Sequence, residues 1–287
     1  MNKKRGNIPI ASWLKKAKQQ LITKDTNEPL SSLYAIISDV LHLPKEFLLA
    51  NPRHVISNTL IDDLDRKLKD LISGRPLAYI LGKWDFYGLE FKVNENVLIP
   101  RPETELLVEN ALKWLKSHPD KQEIADVGTG SGCIAVSIAL YSSTTHILAS
   151  DSAFSALQVA RCNRQKYGLE NRIELVCTDL LRPIEHQFDL ICANLPYIPQ
   201  EKLLDLMIYQ LEPKIALNGG VDGLRIIKPL ILDLPRIIKP GGIALIEIEA
   251  TIGKAAADLC QMKIPCTSVQ IIKDLANKER LLRITFP

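Results

Sequence analysis

The chain predicts an α/β protein: a doubly wound, mostly parallel sheet of about seven strands, preceded by a small helical domain. Three observations carry this expectation. From Glu123 to Phe286, short apolar and β-branched runs alternate with helix-length segments, the pattern of strands joined by crossover helices. The stretch EIADVGTGSG, Glu123 to Gly132, is an apolar run followed by three glycines that alternate with Thr129 and Ser131. It leads directly into the apolar run CIAVSIAL. Strand, glycine loop and helix open a Rossmann-like nucleotide-binding unit. Residues 8–73, in contrast, carry only helical spacing.

In chain order, Ile10, Leu14, Ala17 and Leu21 define a first helix. Ser31 or Ser32 is expected to cap a second, running through Leu33, Ile36, Ile37 and Val40 to about His42. Pro44 opens a short third piece. Asn58 or Thr59 is expected to cap a fourth, which carries Leu60, Ile61, Leu64, Leu68 and Leu71 and ends near Gly74. Residues 74–102 then become aromatic and β-branched, with turn signals at Gly82, Gly88 and Asn94–Asn96. They predict a hairpin, Lys83–Phe86 with Leu89–Val93. Pro100 and Pro102 stiffen the entry to a helix from about Glu103 to Lys116. Beyond the glycine loop, strands are expected at 146–151, 173–177, 188–193 and 243–249, with a turn at Pro240–Gly242. Helices are expected at 155–167, 229–238 and 252–260. Ser268–Lys273 and Arg280–Phe286 close the sheet as an antiparallel edge. The domains so defined are a helical domain at 1–75, a hairpin linker at 76–102 and a ligand-binding sheet at 103–287.

Composition narrows the class. The 287 residues are 46% hydrophobic and 24% charged, as in folded globular proteins with a substantial core. No apolar run approaches the roughly 20 residues that span a bilayer. Lys15, Lys16 and Lys18 interrupt any signal-peptide core behind Lys3, Lys4 and Arg5. Six cysteines (Cys133, Cys162, Cys177, Cys192, Cys260, Cys266) are scattered without a CxxC pair. That spacing argues against a zinc site or a disulfide framework and fits thiols in a reducing cytoplasm. No metal is expected. The net charge of +3 is too small for a strong polyanion binder, yet it is uneven. Residues 1–75 hold 13 Lys+Arg against 8 Asp+Glu, net +5, and the remainder 23 against 25, net −2. This fits either solvated helix faces or a basic domain that meets an anionic partner.

Ligands of open α/β sheets lie beyond the carboxyl ends of the strands. Gly128, Thr129, Gly130, Ser131 and Gly132 fall there, as do Asp151, the pair Asp179 and Leu180, and Asn194. Asp151, at the end of the second strand, is either a ribose-hydroxyl acceptor or a cap for the helix that follows. A nicotinamide site favours G-x-G-x-x-G; here the spacing is G-x-G-x-G, with Cys133 at the sixth position. That suits S-adenosylmethionine, which has ribose and adenine but no phosphate. Asp126, just before the loop, is a candidate for its cationic end. Asn194-Leu195-Pro196-Tyr197 follows the fourth strand. It resembles the (Asn/Asp/Ser)-Pro-Pro-Tyr motif of methyltransferases that act on planar nitrogen. In that motif a side-chain oxygen and the next backbone carbonyl accept the N–H bonds of the substrate, and the tyrosine offers an apolar face.

Together these segments resemble the release factor glutamine N5-methyltransferases (the PrmC/HemK family) over nearly the whole chain. The matching stretches are GRPLAYILG (74–82), LIPRPETELLVE (98–109), DVGTGSGCIAVSIA (126–139), NLPYIP (194–199), EPKIALNGGVDGL (212–224), PGGIALIEIE (240–249) and DLANKERLL (274–282). The resemblance implies a Rossmann-like seven-stranded methyltransferase sheet and S-adenosylmethionine as methyl donor, leaving S-adenosylhomocysteine. It implies that the Gln of the Gly-Gly-Gln loop of class I peptide-chain release factors is the acceptor. The glycine loop and Asp151 would bind the donor, Asn194 to Tyr197 the glutamine, and the helical domain would dock the factor. The location would be cytoplasmic, with neither membrane nor direct nucleic-acid binding. Two departures stand out: Leu195 replaces the usual proline, and Glu249 stands where glycine is frequent. Asn-Leu-Pro-Tyr also resembles the motif of ribosomal-RNA adenine dimethyltransferases. An RNA or DNA amino-methyltransferase therefore remains open, as does a non-catalytic donor-binding adaptor.

Overall fold

The chain divides into two units, Met1–Gly82 and Lys83–Pro287. The computed structural model describes residues 7–23, 30–205, 211–265 and 267–287. Lys3, Lys4, Arg5 and Cys266, named above, lie outside them.

The first unit contains β1 (Ile8–Pro9), α1 (Ile10–Thr23), α2 (Leu30–Leu41), α3 (Lys45–Ala50), β2 (Val55–Ile56), α4 (Asn58–Ile72) and α5 (Leu77–Leu81). The two short strands pair antiparallel. The apolar stripes read from the sequence form the core: Ile10, Leu14, Ala17 and Leu21 meet Leu33, Ile36, Ile37, Ile61, Leu64 and Leu68. Two caps differ from expectation. Ser31 and Ser32 lie inside α2, and Ser32 is buried on its packed face. At α4, Ser57 occupies the cap position, because its carbonyl already accepts from the Leu60 and Ile61 amides. Buried Lys67 is neutralised by Asp39, 2.9 Å away, and donates to the Ile80 carbonyl, the pairing that a buried ammonium requires.

The second unit opens with the expected hairpin, β3 (Lys83–Phe86) and β4 (Leu89–Lys92). Tyr87 and Gly88 turn it with positive φ at both positions, as a tight two-residue connection demands. A 3-10 turn, Pro102–Thr104, precedes α6 (Glu105–Ser117). Then follow β5 (Glu123–Val127), α7 (Cys133–Tyr141), β6 (His146–Asp151), α8 (Phe154–Lys166), β7 (Ile173–Cys177), β8 (Phe188–Ala193) and α9 (Gln200–Asp205). The unit closes with α10 (Ile227–Ile237), β9 (Ile238–Glu247), α11 (Gly253–Lys263), β10 (Ser268–Lys273) and β11 (Glu279–Thr285).

The seven strands form one sheet in the order β10-β11-β9-β8-β5-β6-β7, and β11 alone runs against its neighbours. One face packs on α10 and α11, the other on α6, α7 and the hairpin residues Phe86 and Phe91. All six residues of β8 are buried, which explains why FDLICA is almost wholly apolar. The turn expected at Pro240–Gly242 lies within β9. Ile238 already pairs with Phe188, and a register shift before Leu190 absorbs the extra residues. From β5 the chain moves outward to β7, then returns to lay β8 on the other side of β5. That reversal opens a crevice at the carboxyl ends of β5 and β8.

Candidate active site

Val127 pairs with Ala193, so Gly128 lies beside Asn194. A cleft of about 270 Å³ opens over these strand ends. A Cβ built on Gly128, whose φ is 72°, would lie 2.8 Å from Leu195 Cδ2, so a larger residue would displace the Leu195 side chain and strain a left-handed backbone. The Gly128 and Thr129 amides both donate to the Ser150 carbonyl, at 2.8 and 2.9 Å. Beneath the loop, Asp126 is fully buried. Its Oδ2 accepts from Thr129 Oγ1 at 2.6 Å and from the Ala135 amide at 3.2 Å. Burial pushes its carboxyl up to about 7, against the pull of those two bonds. Asp126 does not line the cleft; it staples the loop to α7, and the cationic-end role expected for it is not supported by its position.

Gly128, Thr129, Gly130 and Ser131 line the cleft, whereas Gly132 is turned against Ala160 at the start of α7. Asp151 faces the cleft as well. Its Oδ2 accepts from the Gly130 amide and its Oδ1 from the Ala153 amide, both at 2.9 Å. Burial raises its pKa, and these amides oppose the rise. Asp151 thus braces the entry to α8, as the cap reading expects, and each of its oxygens keeps a lone pair without a protein partner. Asp179, on the rim, pairs with Arg182 at 3.0 Å. Leu180 lines the cleft in a left-handed conformation, φ 56°, an expensive backbone state for a branched residue. Fully buried Asn163 ties the loop to the hairpin. It accepts from the Lys92 amide at 2.7 Å and donates to the Lys92 and Ser131 carbonyls at 3.0 and 2.8 Å.

The opposite wall is Asn194, Leu195 and Pro196. Asn194 Nδ2 donates to Thr104 Oγ1 at 3.0 Å. Among the described residues no hydrogen bond reaches Asn194 Oδ1 or the Leu195 carbonyl. Tyr197 is not part of this wall: its hydroxyl donates to Glu247 Oε1 at 3.0 Å, away from the cleft. Glu247, at the end of β9, is 2% exposed. Burial pushes its carboxyl up to about 7, against hydrogen bonding from Thr104 and Tyr197. The backbone of Tyr197 is clasped by the loop after residue 217. A Cβ on Gly219 would fall 2.7 Å from the Tyr197 carbonyl carbon, and one on Gly223 2.6 Å from its oxygen. Glu212 accepts from the Ile99 amide at 3.1 Å and pairs with Arg101, joining the LIPRP and EPK segments.

Sequence reading missed Thr104 and Glu247. The available signal was an acid inside the otherwise apolar run IALIE, a position that a buried strand fills with charge only for a reason. Chemically the cleft offers two acceptors without protein partners, Asn194 Oδ1 and the Leu195 carbonyl, across from a loop whose side chains are only those of Thr129 and Ser131. Its one thiol, Cys133, is pushed up to about 12 by burial, so it remains protonated at neutral pH and is no nucleophile.

The Methyltransferase small domain matches residues 102–214, and the PrmC N-terminal domain matches residues 12–82. A release factor glutamine methyltransferase of Clostridium acetobutylicum is 33% identical over 91% of this chain and 93% of its own. That of Bacillus subtilis is 37% identical over 82% and 84%. Among solved structures, a methyltransferase from Pyrococcus furiosus superposes with a TM-score of 0.51 at 16% identity, covering 77% of this chain and 98% of its own; this likeness supports the fold alone. With such identity spread over nearly its full length, the chain belongs to the release factor glutamine methyltransferase family.

Proposed function

We propose that this protein transfers a methyl group from S-adenosylmethionine to the side-chain amide nitrogen (N5) of the Gln in the Gly-Gly-Gln loop of class I peptide-chain release factors. The observation that carries this reading is the pair of free acceptors, Asn194 Oδ1 and the Leu195 carbonyl, set against the glycine loop. The residues present fit the donor. The three glycines of the Gly128–Gly132 loop would leave room for its chain, the spare lone pairs of Asp151 would suit its ribose hydroxyls, and Asp179 and Leu180 would border its adenine. Bound there, the donor supplies an electrophilic methyl group. Asn194 and the Leu195 carbonyl accept the two N–H bonds of a planar amide and hold its nitrogen toward the loop. An amide nitrogen is a weak nucleophile because its lone pair is delocalised; fixed acceptors on its protons counter that weakness. Pro196 stiffens the turn, and Tyr197, anchored on Glu247, holds it in place. We further propose that the basic helical unit docks the release factor, and that the protein works in the cytoplasm, where that substrate is found.

The test supplies labelled methyl donor with four separate acceptors: an intact release factor, the same factor with its loop glutamine replaced, a Gly-Gly-Gln peptide, and RNA. Label is expected on the intact factor, weakly on the peptide, and on neither of the others. Labelled RNA would favour a nucleic-acid amino-methyltransferase; donor binding without transfer would favour an adaptor. A chain starting at Lys83 should lose activity on the intact factor through KM and keep its activity on the peptide.

A further inference from the structure

We propose that Arg225 is a specificity-determining residue: from the Asn194 wall of the cleft, its guanidinium donates to main-chain carbonyls of the acceptor loop beside the reacting glutamine. The inference rests on the function proposed above and names how that same site recognises its protein substrate. Among the described residues that line the cleft, Arg225 is the only lysine or arginine. It is tied to the wall that holds Asn194. The chain after Pro196 runs beside residues 217–220: the Ile198 amide donates to the Leu217 carbonyl at 3.2 Å, the Gly219 amide to the Ile198 carbonyl at 2.9 Å, and the Gln200 amide to the Gly220 carbonyl at 2.8 Å. The Arg225 amide in turn donates to the Gly219 carbonyl at 2.9 Å. Main-chain bonds thus carry the position of the wall through Ile198 and Gly219 to Arg225.

The loop is shaped around this side chain. Gly220 has a φ of 84°, and a Cβ there would fall 2.8 Å from Arg225 Cβ and 3.2 Å from its Cδ. Glycine therefore makes the space in which the aliphatic stem lies. At the far end Nη2 donates to the Asn218 carbonyl at 2.9 Å, which fixes the guanidinium. Among the described residues no carboxylate pairs with that guanidinium and no second acceptor meets it. Its other N–H donors are therefore open to a ligand.

The chemistry of the acceptor selects what those donors meet. Glycines precede the reacting glutamine, so the acceptor loop brings neither side chain nor charge to this point. What it presents is peptide carbonyls that nothing shields, and each needs a donor once water is excluded. The methyl donor holds the rival acceptor, a carboxylate. Its chain would run along the Gly128–Gly132 loop, on the opposite wall, whereas main-chain bonds tie Arg225 to the Asn194 wall. Arg225 therefore serves the acceptor rather than the donor.

The test measures kcat and KM of the full-length enzyme on an intact release factor and on a Gly-Gly-Gln peptide, with donor affinity by calorimetry. Variants are Arg225→Met, which keeps an unbranched stem over Gly220 and removes the donors, Arg225→Lys, and Val221→Ala. Arg225→Met should raise KM about tenfold for both acceptors, the scale of one charge-assisted hydrogen bond. Its kcat at saturating acceptor and its donor affinity should stay within about twofold of the wild type. Arg225→Lys should recover part of the loss. Val221→Ala, on the same loop but 83% exposed and outside the cleft lining, should change nothing. The peptide is also made with each glycine carbonyl in turn replaced by a thiocarbonyl, a weaker acceptor. At least one replacement should raise the wild-type KM severalfold and leave that of Arg225→Met unmoved, the coupling of direct partners. Wild-type KM in Arg225→Met, a loss of donor affinity in its place, or thiocarbonyl effects equal in both enzymes would overturn the inference. A wild type that transfers no methyl to the factor sinks the functional reading, and a signal that needs no turnover then decides the inference. The Arg225 Nε–H resonance, assigned by its absence in Arg225→Met, should shift when the peptide is added with S-adenosylhomocysteine; a resonance that stays still overturns the role of Arg225.

Discussion

The two walls of the cleft are built by different means. The glycine-loop wall is held by main-chain groups: amides of Gly128 and Thr129 on the Ser150 carbonyl, and amides of Gly130, Ala135 and Ala153 on two carboxylates. The Asn194 wall is held by side chains: Tyr197 from its own segment, and Thr104 and Glu247 from two distant ones. A surface fixed by backbone geometry depends on which residues can adopt that backbone. A surface fixed by side-chain hydrogen bonds depends on single atoms. Substitutions should therefore separate the walls, the first affecting donor affinity and the second turnover.

The sharpest separation is expected from Asn194→Ala. It removes an acceptor from the reacting nitrogen, so kcat should fall on the order of 10³-fold, the scale for losing one polar group at a developing charge. Calorimetry should show donor affinity nearly unchanged; near-normal turnover would detach this wall from the chemistry. Asp151→Ala is the converse. Donor binding should weaken by about 1–3 kcal/mol while kcat at saturating donor stays close to normal, and unchanged affinity would reduce Asp151 to a brace for α8. Gly219→Ala tests the clasp behind the second wall. Its Cβ would meet the Tyr197 backbone at 2.7 Å, so thermal unfolding should register a loss of about 1–3 kcal/mol, and the factor KM should rise while donor affinity holds.

Next comes pH. Asp126 and Glu247 are each raised to about 7, from 3.8 and 4.5. Between those values the folded state binds more protons than the unfolded chain, so stability is greatest toward mild acid and declines as pH rises through 7. Each group should add roughly 1 kcal/mol between about pH 8 and about pH 6. Asp126→Asn should remove its share from the melting-temperature profile; an unchanged slope would show that Asp126 does not titrate there. The smallest effect is expected from Leu195→Pro. The Leu195 amide has no protein partner among the described residues, so proline removes no hydrogen bond. It does remove the side chain that packs over Gly128, at about 1 kcal/mol of stability, with activity kept within about tenfold. A greater loss would show that the second wall also depends on backbone geometry.

The contrast between the walls also explains what was legible in the sequence. The first wall lies in contiguous residues: EIADVGTGSG announces strand, loop and helix, and Asp151 closes the next strand. The seven strands and the hairpin followed from apolar runs and turn residues. The start of β9 did not, because pairing with Phe188 across a register shift overrides the turn tendency of Pro240–Gly242. Nor did the short helix α5, whose five residues carry too little periodicity. The support of the second wall was hidden for a deeper reason. Thr104 and Glu247 meet Asn194 only through the parallel register of β8 and β9 and the turn before α6, and no spacing along the chain encodes that meeting. Tyr197, expected on the cleft, is turned by Glu247 into the support behind it.

The Asn163 tie has a consequence for solubility. A two-stranded hairpin is a natural place for a foreign strand to add, since its outer edge exposes unpaired amides and carbonyls. On β4 three of those groups, the Lys92 amide and carbonyl and the Glu90 carbonyl, are already taken. Asn163 binds both the amide and the carbonyl of Lys92 as a neighbouring strand would, and the Glu90 carbonyl receives Lys166 Nζ and Tyr167 Oη at 2.7 and 2.9 Å. One face of α8 and the residue after it thus seal the edge against intermolecular sheet growth. The same asparagine grips the Ser131 carbonyl, so an inserted or deleted residue in β4 would unseal the edge and release the glycine loop in one step.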